Sequence, residues 1–134
     1  MSPNYIDKLG WIKIKDNKAL VVLSKGENKW FMPGGKREED ETDEEALIRE
    51  VKEELSVDLI PETIQYFKTF EAQAHGKPQG TLVRITAYTA SFKGEILPNN
   101  EIDKFDYFSY SGKDELSAVG QLIFEELKNR YLII

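Results

Sequence analysis

The sequence predicts a single α/β domain of the α+β kind, in which helices cover the faces of one mixed sheet. Three observations predict this class. Strand-like and helix-like patterns alternate along the chain, without internal repeats or low-complexity linkers. The length of 134 residues suits one domain with its own core. Hydrophobic residues make up 40% of the chain, as in ordinary globular proteins. We therefore expect one domain over residues 1–134.

The first third of the chain predicts two strands and one short extended segment. The segment YIDKLGWIKIKD, residues 5–16, alternates apolar and polar residues and predicts a strand. Asp16-Asn17 predicts a turn, and the nearly continuous apolar run ALVVLSKG, residues 19–26, predicts a buried strand. The segment KWFMPGG, residues 29–35, predicts an extended piece that ends at Pro33-Gly34-Gly35.

A helix is predicted over Asp43–Leu55. Thr42 and Glu45 have the spacing of a capping box, in which each side chain satisfies a free backbone N–H of the other residue. The acids of the first turn complement the helix dipole. Apolar residues recur at every fourth position and predict a buried stripe: Leu47, Val51 and Leu55.

The second half of the chain predicts three more strands and a C-terminal helix. TIQYFKTFEA (residues 63–72) and TLVRITAYTASF (residues 81–92) alternate with β-branched and aromatic residues, and AHGKPQG joins them as a hairpin loop. FDYFSY (residues 105–110) predicts a further short strand. Residues 116–133 predict a helix with an apolar face made by four residues: Leu122, Ile123, Leu127 and Leu132.

Composition narrows the chemistry of any site. The chain has no cysteine and a single histidine, His75, so thiolate and multi-histidine metal sites are excluded and a metal would need oxygen ligands. No apolar run reaches the length of a membrane span and no signal peptide is recognisable, so we expect a cytoplasmic protein without membrane contacts. Residues 38–58 hold 11 of the 24 acids, whereas the chain has no basic cluster, so nucleic acid is not the expected partner.

The acidic segment predicts a divalent cation site. Glu50, Glu53 and Glu54 stand at i, i+3 and i+4 and are expected on one helix face, away from the apolar stripe. Carboxylates held so close would raise one another's pKa, and a cation such as Mg²⁺ or Mn²⁺ removes that cost. The alternative is a solvated acidic face. Gly34-Gly35, just before the helix, permits the backbone to approach a metal or a phosphate closely.

The segment over residues 35–57 resembles the Nudix box, the long fixed-spacing motif of the Nudix hydrolase family, whose MutT-like members are small nucleotide pyrophosphohydrolases. The matching positions are Gly35, Glu41, Arg49, Glu50, Val51, Glu53, Glu54 and Val57. Ser56 stands where the family has its final glycine, and we expect it to take the left-handed conformation at a modest cost. The resemblance implies an α/β/α sandwich with a loop-helix-loop box.

The resemblance also implies a function and a set of roles. The chain is expected to hydrolyse a pyrophosphate bond in a nucleoside triphosphate or another nucleoside diphosphate derivative, using Mg²⁺ or Mn²⁺. The implied metal ligands are Glu50, Glu53, Glu54 and Glu41 with a carbonyl of Gly34 or Gly35. Glu53 or Glu54 is expected to activate the water, Arg49 to position the carboxylates, and a loop glutamate, Glu101 or else Glu95, to join the site.

Two rival functions stay open at this stage. One is a Nudix-like module that binds a nucleotide without cleaving it, and the other is hydrolysis of RNA 5′-triphosphate ends. Outside the box, His75 is expected to be a polar turn residue, Lys77 and Arg84 could meet phosphates, and aromatic residues could stack on a base: Trp30, Phe31 and Tyr107. The apolar tail YLII could pack on the core or on a second copy, which leaves a homodimer open.

Overall fold

The computed structural model describes residues 4–134, so the first three residues of the predicted domain lie outside the described part. Within it, nine strands and two α-helices follow in this order: β1 (Asn4–Ile12), β2 (Ile14–Lys15), β3 (Lys18–Ser24), β4 (Gly34–Gly35), α1 (Asp43–Leu55), β5 (Asp58–Leu59), β6 (Gln65–Gln73), β7 (Thr81–Thr89), β8 (Phe92–Lys93), β9 (Ile102–Phe108) and α2 (Ala118–Asn129). Two 3₁₀ helices span Pro61–Thr63 and Tyr110–Glu115. The predicted α+β class is confirmed.

The strands form a mixed arrangement. A four-stranded sheet has the order β4-β1-β7-β6, in which β1 and β7 are parallel and the other pairs are antiparallel. A three-stranded antiparallel sheet has the order β2-β3-β9, and β5 pairs with β8. The β6–β7 pair is the predicted hairpin across residues 74–80.

Helices α1 and α2 pack against opposite faces of the strands. Successive strand residues point to opposite faces, so neighbouring residues of β1 contact different helices. Leu9 and Trp11 of β1 pack in a cluster with the apolar stripe of α1. Ile12 of β1 packs in a second cluster with Ile123 and Phe124 of α2. The two clusters together form the core of an α/β/α sandwich.

Helix α1 has the predicted bounds and the predicted cap. The backbone N–H of Glu45 donates to Thr42 Oγ1 at 3.1 Å, and the N–H of Thr42 donates to Glu45 Oε1 at 2.9 Å. The stripe residues are fully buried: Leu47, Val51 and Leu55. Ser56 ends the helix in the left-handed conformation, with φ at 68°, and its hydroxyl donates to the carbonyl of Leu97 at 3.1 Å.

Several predicted elements differ in detail from the structure. The first predicted strand is interrupted at Lys13, between β1 and β2. The predicted turn at Asp16-Asn17 has positive φ at both residues, as a type I′ hairpin turn requires. The pair Gly34–Gly35 forms a strand beside β1 and does not end an extended segment. Strand β9 begins earlier than predicted, at Ile102.

The C-terminal helix is shorter than predicted, and its apolar face was partly misassigned. Leu122 is 44% exposed and Leu132 lies beyond the helix, whereas Val119 and Phe124 are buried with Ile123. In the tail, Ile133 is buried, and the backbone of Ile134 forms hydrogen bonds with the backbone of Tyr110 and of Asn17. Neither helix of residues 4–134 is long and apolar enough to cross a membrane.

Candidate active site

A cavity of about 450 Å³ opens beside the glycine strand β4 and helix α1. Its apolar wall comes mainly from the inner face of the four-stranded sheet and from the segment after β3: Ile6, Val83, Ile85, Phe31 and Met32. Its charged wall carries carboxylates and lysines from six parts of the chain: Glu27, Glu50, Glu54, Glu101, Lys8, Lys36 and Lys77. The size and the mixed lining are those of a small-molecule site.

Glu54 is the buried carboxylate of this cavity, with 7% of its surface exposed. It follows Leu47 by seven residues and Val51 by three, so the helix aims it toward the same side as the apolar stripe. The backbone N–H of Gly34 donates to Glu54 Oε1 at 3.0 Å. Burial, helped by the charges of Glu50 and Glu101, raises the pKa of Glu54 to about 8.

Glu50 lies beside it and is half-buried. Burial raises the pKa of Glu50, and the charges of Glu53 and Glu101 add to this, although a hydrogen bond from Arg49 opposes it. A Cβ added at Gly35 would collide with the Glu50 carboxylate, so only a glycine lets that carboxylate sit against the strand. At Gly34, where φ is 143°, an added Cβ would collide with the Leu9 carbonyl oxygen.

Arg49 ties the acidic loop to the helix. Its Nε and Nη2 donate to the two oxygens of Glu41 at 2.7 and 2.8 Å, and its Nη1 donates to Glu50 Oε1 at 2.9 Å. Nη2 also donates to the Lys36 carbonyl at 2.9 Å. The Arg49 guanidinium and the N–H of Glu38 lower the pKa of Glu41 to about 2. Glu41 therefore stays ionised and holds Arg49 in place.

The expectation that three carboxylates share one face away from the apolar stripe is wrong. Glu54 points inward, whereas Glu53 is exposed, does not line the cavity and lies 3.3 Å from Arg49 Nη1. In residues 4–134 no group of three or more acidic or histidine side chains is close enough to form a metal cage. A helical turn separates neighbours by about 100°, so positions 53 and 54 cannot both face the cavity equally.

Glu101 reaches the cavity from the loop before β9, as its selection from the sequence anticipated. The Glu101 carbonyl accepts a hydrogen bond from the N–H of Lys25 at 2.8 Å, which fixes that loop beside β3. Its charge acts on both Glu50 and Glu54. Glu95, the other candidate, does not line the cavity. The cavity thus joins Glu50, Glu54 and Glu101 with Gly34 and Gly35.

Other residues considered in the sequence separate into two groups. Phe31, His75 and Lys77 line the cavity. His75 packs edge-on against Phe31, with ring centroids 5.7 Å apart, and its Nε2 lies 3.6 Å from Glu27 Oε2. The second group lies elsewhere: Arg84 pairs with Glu71 at 2.8 Å, Trp30 packs on Phe108, and Tyr107 packs beside Phe105.

Sequence reasoning missed three charged residues of the cavity, Lys8, Glu27 and Lys36, and Lys8 is the one on the sheet. It stands on β1 at a half-buried position, directly opposite Ile85 of β7. Burial lowers the pKa of Lys8, and the charge of Lys36 lowers it further, while Glu54 and Glu50 act in the opposite direction. The available signal was its place in the strand, two residues from Ile6 on what becomes the inner face.

The sequence matches one family profile, described as the NUDIX domain, over residues 9–118. Over 95 residues the chain is 34% identical to the m7GpppN-mRNA hydrolase of Saccharomyces cerevisiae, which covers 70% of this chain and 10% of that protein. Over 115 residues it is 28% identical to the ADP-ribose pyrophosphatase of Methanocaldococcus jannaschii, covering 84% of this chain and 66% of that protein. The chain thus spans about a tenth of the yeast relative's length.

A solved structure shares the fold. The MutT NUDIX hydrolase from Burkholderia pseudomallei superposes with a TM-score of 0.75 at 21% identity, over 92% of this chain and 98% of that one. At that level of identity the likeness bears on the fold alone. It agrees with the sandwich and the mixed sheet described above.

Proposed function

Because the chain belongs to the Nudix family, we propose that it is a hydrolase of a pyrophosphate bond, acting with a divalent metal ion. The substrate is a nucleoside triphosphate or another nucleoside diphosphate derivative. The observation that carries the proposal is the meeting of Glu50, Glu54 and Glu101 in one cavity with the glycine strand. The names of the yeast and archaeal relatives, an mRNA hydrolase and an ADP-ribose pyrophosphatase, support the reaction class.

The chemistry of the cavity fits Mg²⁺, with Mn²⁺ as a substitute. The available donors are oxygen atoms, which these ions prefer. Glu50 and Glu54 have raised pKa values because they are buried close to other acids, and a cation would offset that cost. When bound, such an ion would neutralise phosphate charge and lower the pKa of a bound water. The described side chains do not form a cage of three carboxylates, and Mg²⁺ is usually bound by one or two carboxylates with waters and substrate phosphates. The proposed ligands are therefore Glu50 and Glu54 with a carbonyl of Gly34 or Gly35, and Glu101 is proposed to act beside them.

The remaining box residues have proposed roles around that cavity. Glu54, inside the cavity, is the better-placed of the two candidates for orienting the attacking water, and exposed Glu53 is the other. Arg49 positions Glu50 through its hydrogen bond, and Glu41 fixes Arg49. Phosphoryl transfer needs such positioning of charge more than covalent help from the protein.

The substrate screen that tests this function pairs nucleotides and nucleoside diphosphate derivatives with Mg²⁺ or Mn²⁺, and uses EDTA as the control. We expect metal-dependent release of phosphate-containing products from at least one compound. The rival binding module predicts nucleotide-induced stabilisation against heat without turnover at any metal concentration. That result would reject the enzymatic proposal and favour the rival.

The yeast relative supports a second candidate, hydrolysis at an RNA 5′ end. That protein is an m7GpppN-mRNA hydrolase, and it is 34% identical to this chain over 70% of the chain. A 5′-triphosphorylated or capped oligonucleotide belongs in the same screen. An RNA substrate predicts affinity that falls steeply with salt, because phosphate contacts along a chain release counterions. A small nucleotide predicts a shallower dependence.

The oligomeric state and the cellular location are proposals that follow from the sequence. A homodimer would be consistent with the exposed side chains of the C-terminal tail, Tyr131 and Ile134. Sedimentation of the purified protein over a range of concentrations measures that state. We also propose a cytoplasmic location, in keeping with a nucleotide substrate.

A further inference from the structure

Lys8 occupies a position where the fold would ordinarily place an apolar residue. On the inner sheet face its neighbours are Ile6 on the same strand and, across the parallel pair, Val83 and Ile85 of β7. These residues belong to the apolar cluster that packs under α2 or line its edge. A lysine in such surroundings is unusual, because burying an ammonium group costs free energy unless a partner compensates it.

The described part of the chain supplies no direct partner for this ammonium group. Among the contacts formed by residues 4–134, the Lys8 side chain makes neither an ion pair nor a hydrogen bond. Lys36 and Lys77 line the same cavity and act on Lys8 as like charges, so an anion placed among these three lysines would be attracted to each of them. Glu50 and Glu54 lie near enough to influence Lys8 without contacting it.

We propose that Lys8 is a substrate-binding residue that holds a non-bridging phosphate oxygen of the ligand between the sheet and the carboxylates of α1. The inference rests on the proposed function, since it assigns the charged group of that substrate to a place in the cavity. The positive charge of Lys8 would then help to offset the repulsion between the phosphate and the four carboxylates of the cavity. Lys36 and Lys77 add positive charge on the same ligand, from β4's end and from the hairpin loop respectively.

This assignment makes Lys8 part of the choice of substrate. A ligand whose phosphates reach from the α1 carboxylates to the sheet face satisfies Lys8. A ligand with a neutral group there leaves the ammonium buried and uncompensated. The cavity therefore selects for compounds with an anionic group at that depth, and the apolar wall around Phe31 and Ile85 remains for an uncharged portion.

The probe for this inference is imidodiphosphate, a pyrophosphate analogue whose bridging nitrogen resists hydrolysis. Isothermal titration calorimetry in the presence of Mg²⁺ measures its affinity without any turnover. Lys8→Met keeps the length of the side chain and removes the charge, and Lys8→Arg restores a cation. Lys18→Met is the matched control, because Lys18 is an exposed strand lysine outside the cavity.

We expect Lys8→Met to weaken imidodiphosphate binding about tenfold or more, since hydrogen bonds to charged groups are worth that much. Lys8→Arg should recover part of the affinity, and Lys18→Met should leave it unchanged. The ligand-free Lys8→Met protein should melt at the same temperature as the wild type or higher, because a buried charge has been removed. On a cleaved substrate, KM should rise by more than kcat falls.

Three results would overturn the inference. Equal imidodiphosphate affinity in Lys8→Met and wild type would show that Lys8 does not contact the phosphate. Lost nucleotide affinity with unchanged imidodiphosphate affinity would place Lys8 on the nucleoside part instead. A lower melting temperature in both Lys8→Met and Lys8→Arg would indicate a structural role. The reaction itself fails separately: a wild type that binds imidodiphosphate through Lys8 and cleaves no compound refutes the proposed function alone.

Discussion

The backbone N–H of Gly34 donates a 3.0 Å hydrogen bond to the carboxylate of Glu54. This contact joins the glycine strand to the last turn of α1, across 20 residues of acidic loop and helix. It also fixes a buried carboxylate at the cavity while leaving its other oxygen available. The glycine pair and the helix acids therefore act as one structural unit.

The inward position of Glu54 predicts unequal effects of two neighbouring substitutions. Glu54→Gln should weaken Mn²⁺ binding about tenfold or more, and Glu53→Gln should weaken it less, because Glu53 is exposed and outside the cavity lining. Electron paramagnetic resonance of free Mn²⁺ measures both affinities. Glu44→Gln, at an exposed helix position, serves as the control. A larger loss in Glu53→Gln than in Glu54→Gln would contradict this placement.

The raised pKa of Glu54 predicts how stability depends on pH when EDTA is present. Between pH 4.5 and about 8 the unfolded chain has released this proton while the folded protein keeps it, so Glu54 makes stability fall as pH rises. Each pKa unit corresponds to about 1.4 kcal/mol. Glu54→Gln should flatten the profile of unfolding free energy over that range. Parallel profiles for the two proteins, measured by urea unfolding, would refute the prediction.

Replacing Arg49 by lysine keeps the positive charge, but we expect it to weaken the metal-dependent activity. Lysine cannot reproduce the paired hydrogen bonds to Glu41 or the simultaneous contact with Glu50. Arg49→Lys should raise the Mg²⁺ concentration needed for half-maximal activity about tenfold or more. Arg130→Lys changes an arginine in a helix pair with Glu126 and should have little effect. If both variants need the same Mg²⁺ concentration as the wild type, the hydrogen bonds of Arg49 do not support the site.

Ser56 predicts different outcomes for two small substitutions. Ser56→Ala keeps the left-handed backbone and loses the hydrogen bond to Leu97, so it should cost about 1 kcal/mol of unfolding free energy. Ser56→Gly loses the same bond but relieves about 1 kcal/mol of backbone strain, so its net effect should be close to zero. Urea unfolding of both proteins measures the difference, and equal losses would contradict it.

Local sequence signals predicted the helix well. The capping box of Thr42 and Glu45 and the spacing of Leu47, Val51 and Leu55 gave α1 its correct ends, because these features act within one or two turns. Ser56 was expected to take the left-handed conformation, and it does. The resemblance to the Nudix family, in which a late loop adds a glutamate, brought Glu101 into consideration although no fixed spacing supported its position.

The direction of side chains at the site was less predictable. The spacing of Glu50, Glu53 and Glu54 predicted a shared face, yet the seven-residue step from Leu47 places Glu54 on the buried side. Lys8 escaped notice because a lysine in an alternating strand suits a solvated face equally well. Only the parallel pairing of β1 with β7, which joins residues far apart in the chain, shows that it faces the interior.

The most direct test of the site compares turnover by three proteins on the best compound of the substrate screen. Wild type, Glu54→Gln and the exposed control Glu44→Gln are assayed with Mg²⁺ titrated from zero. The proposed site predicts metal-dependent turnover by wild type and Glu44→Gln, with kcat reduced about 100-fold or more in Glu54→Gln. Turnover by Glu54→Gln at the wild-type rate would contradict it.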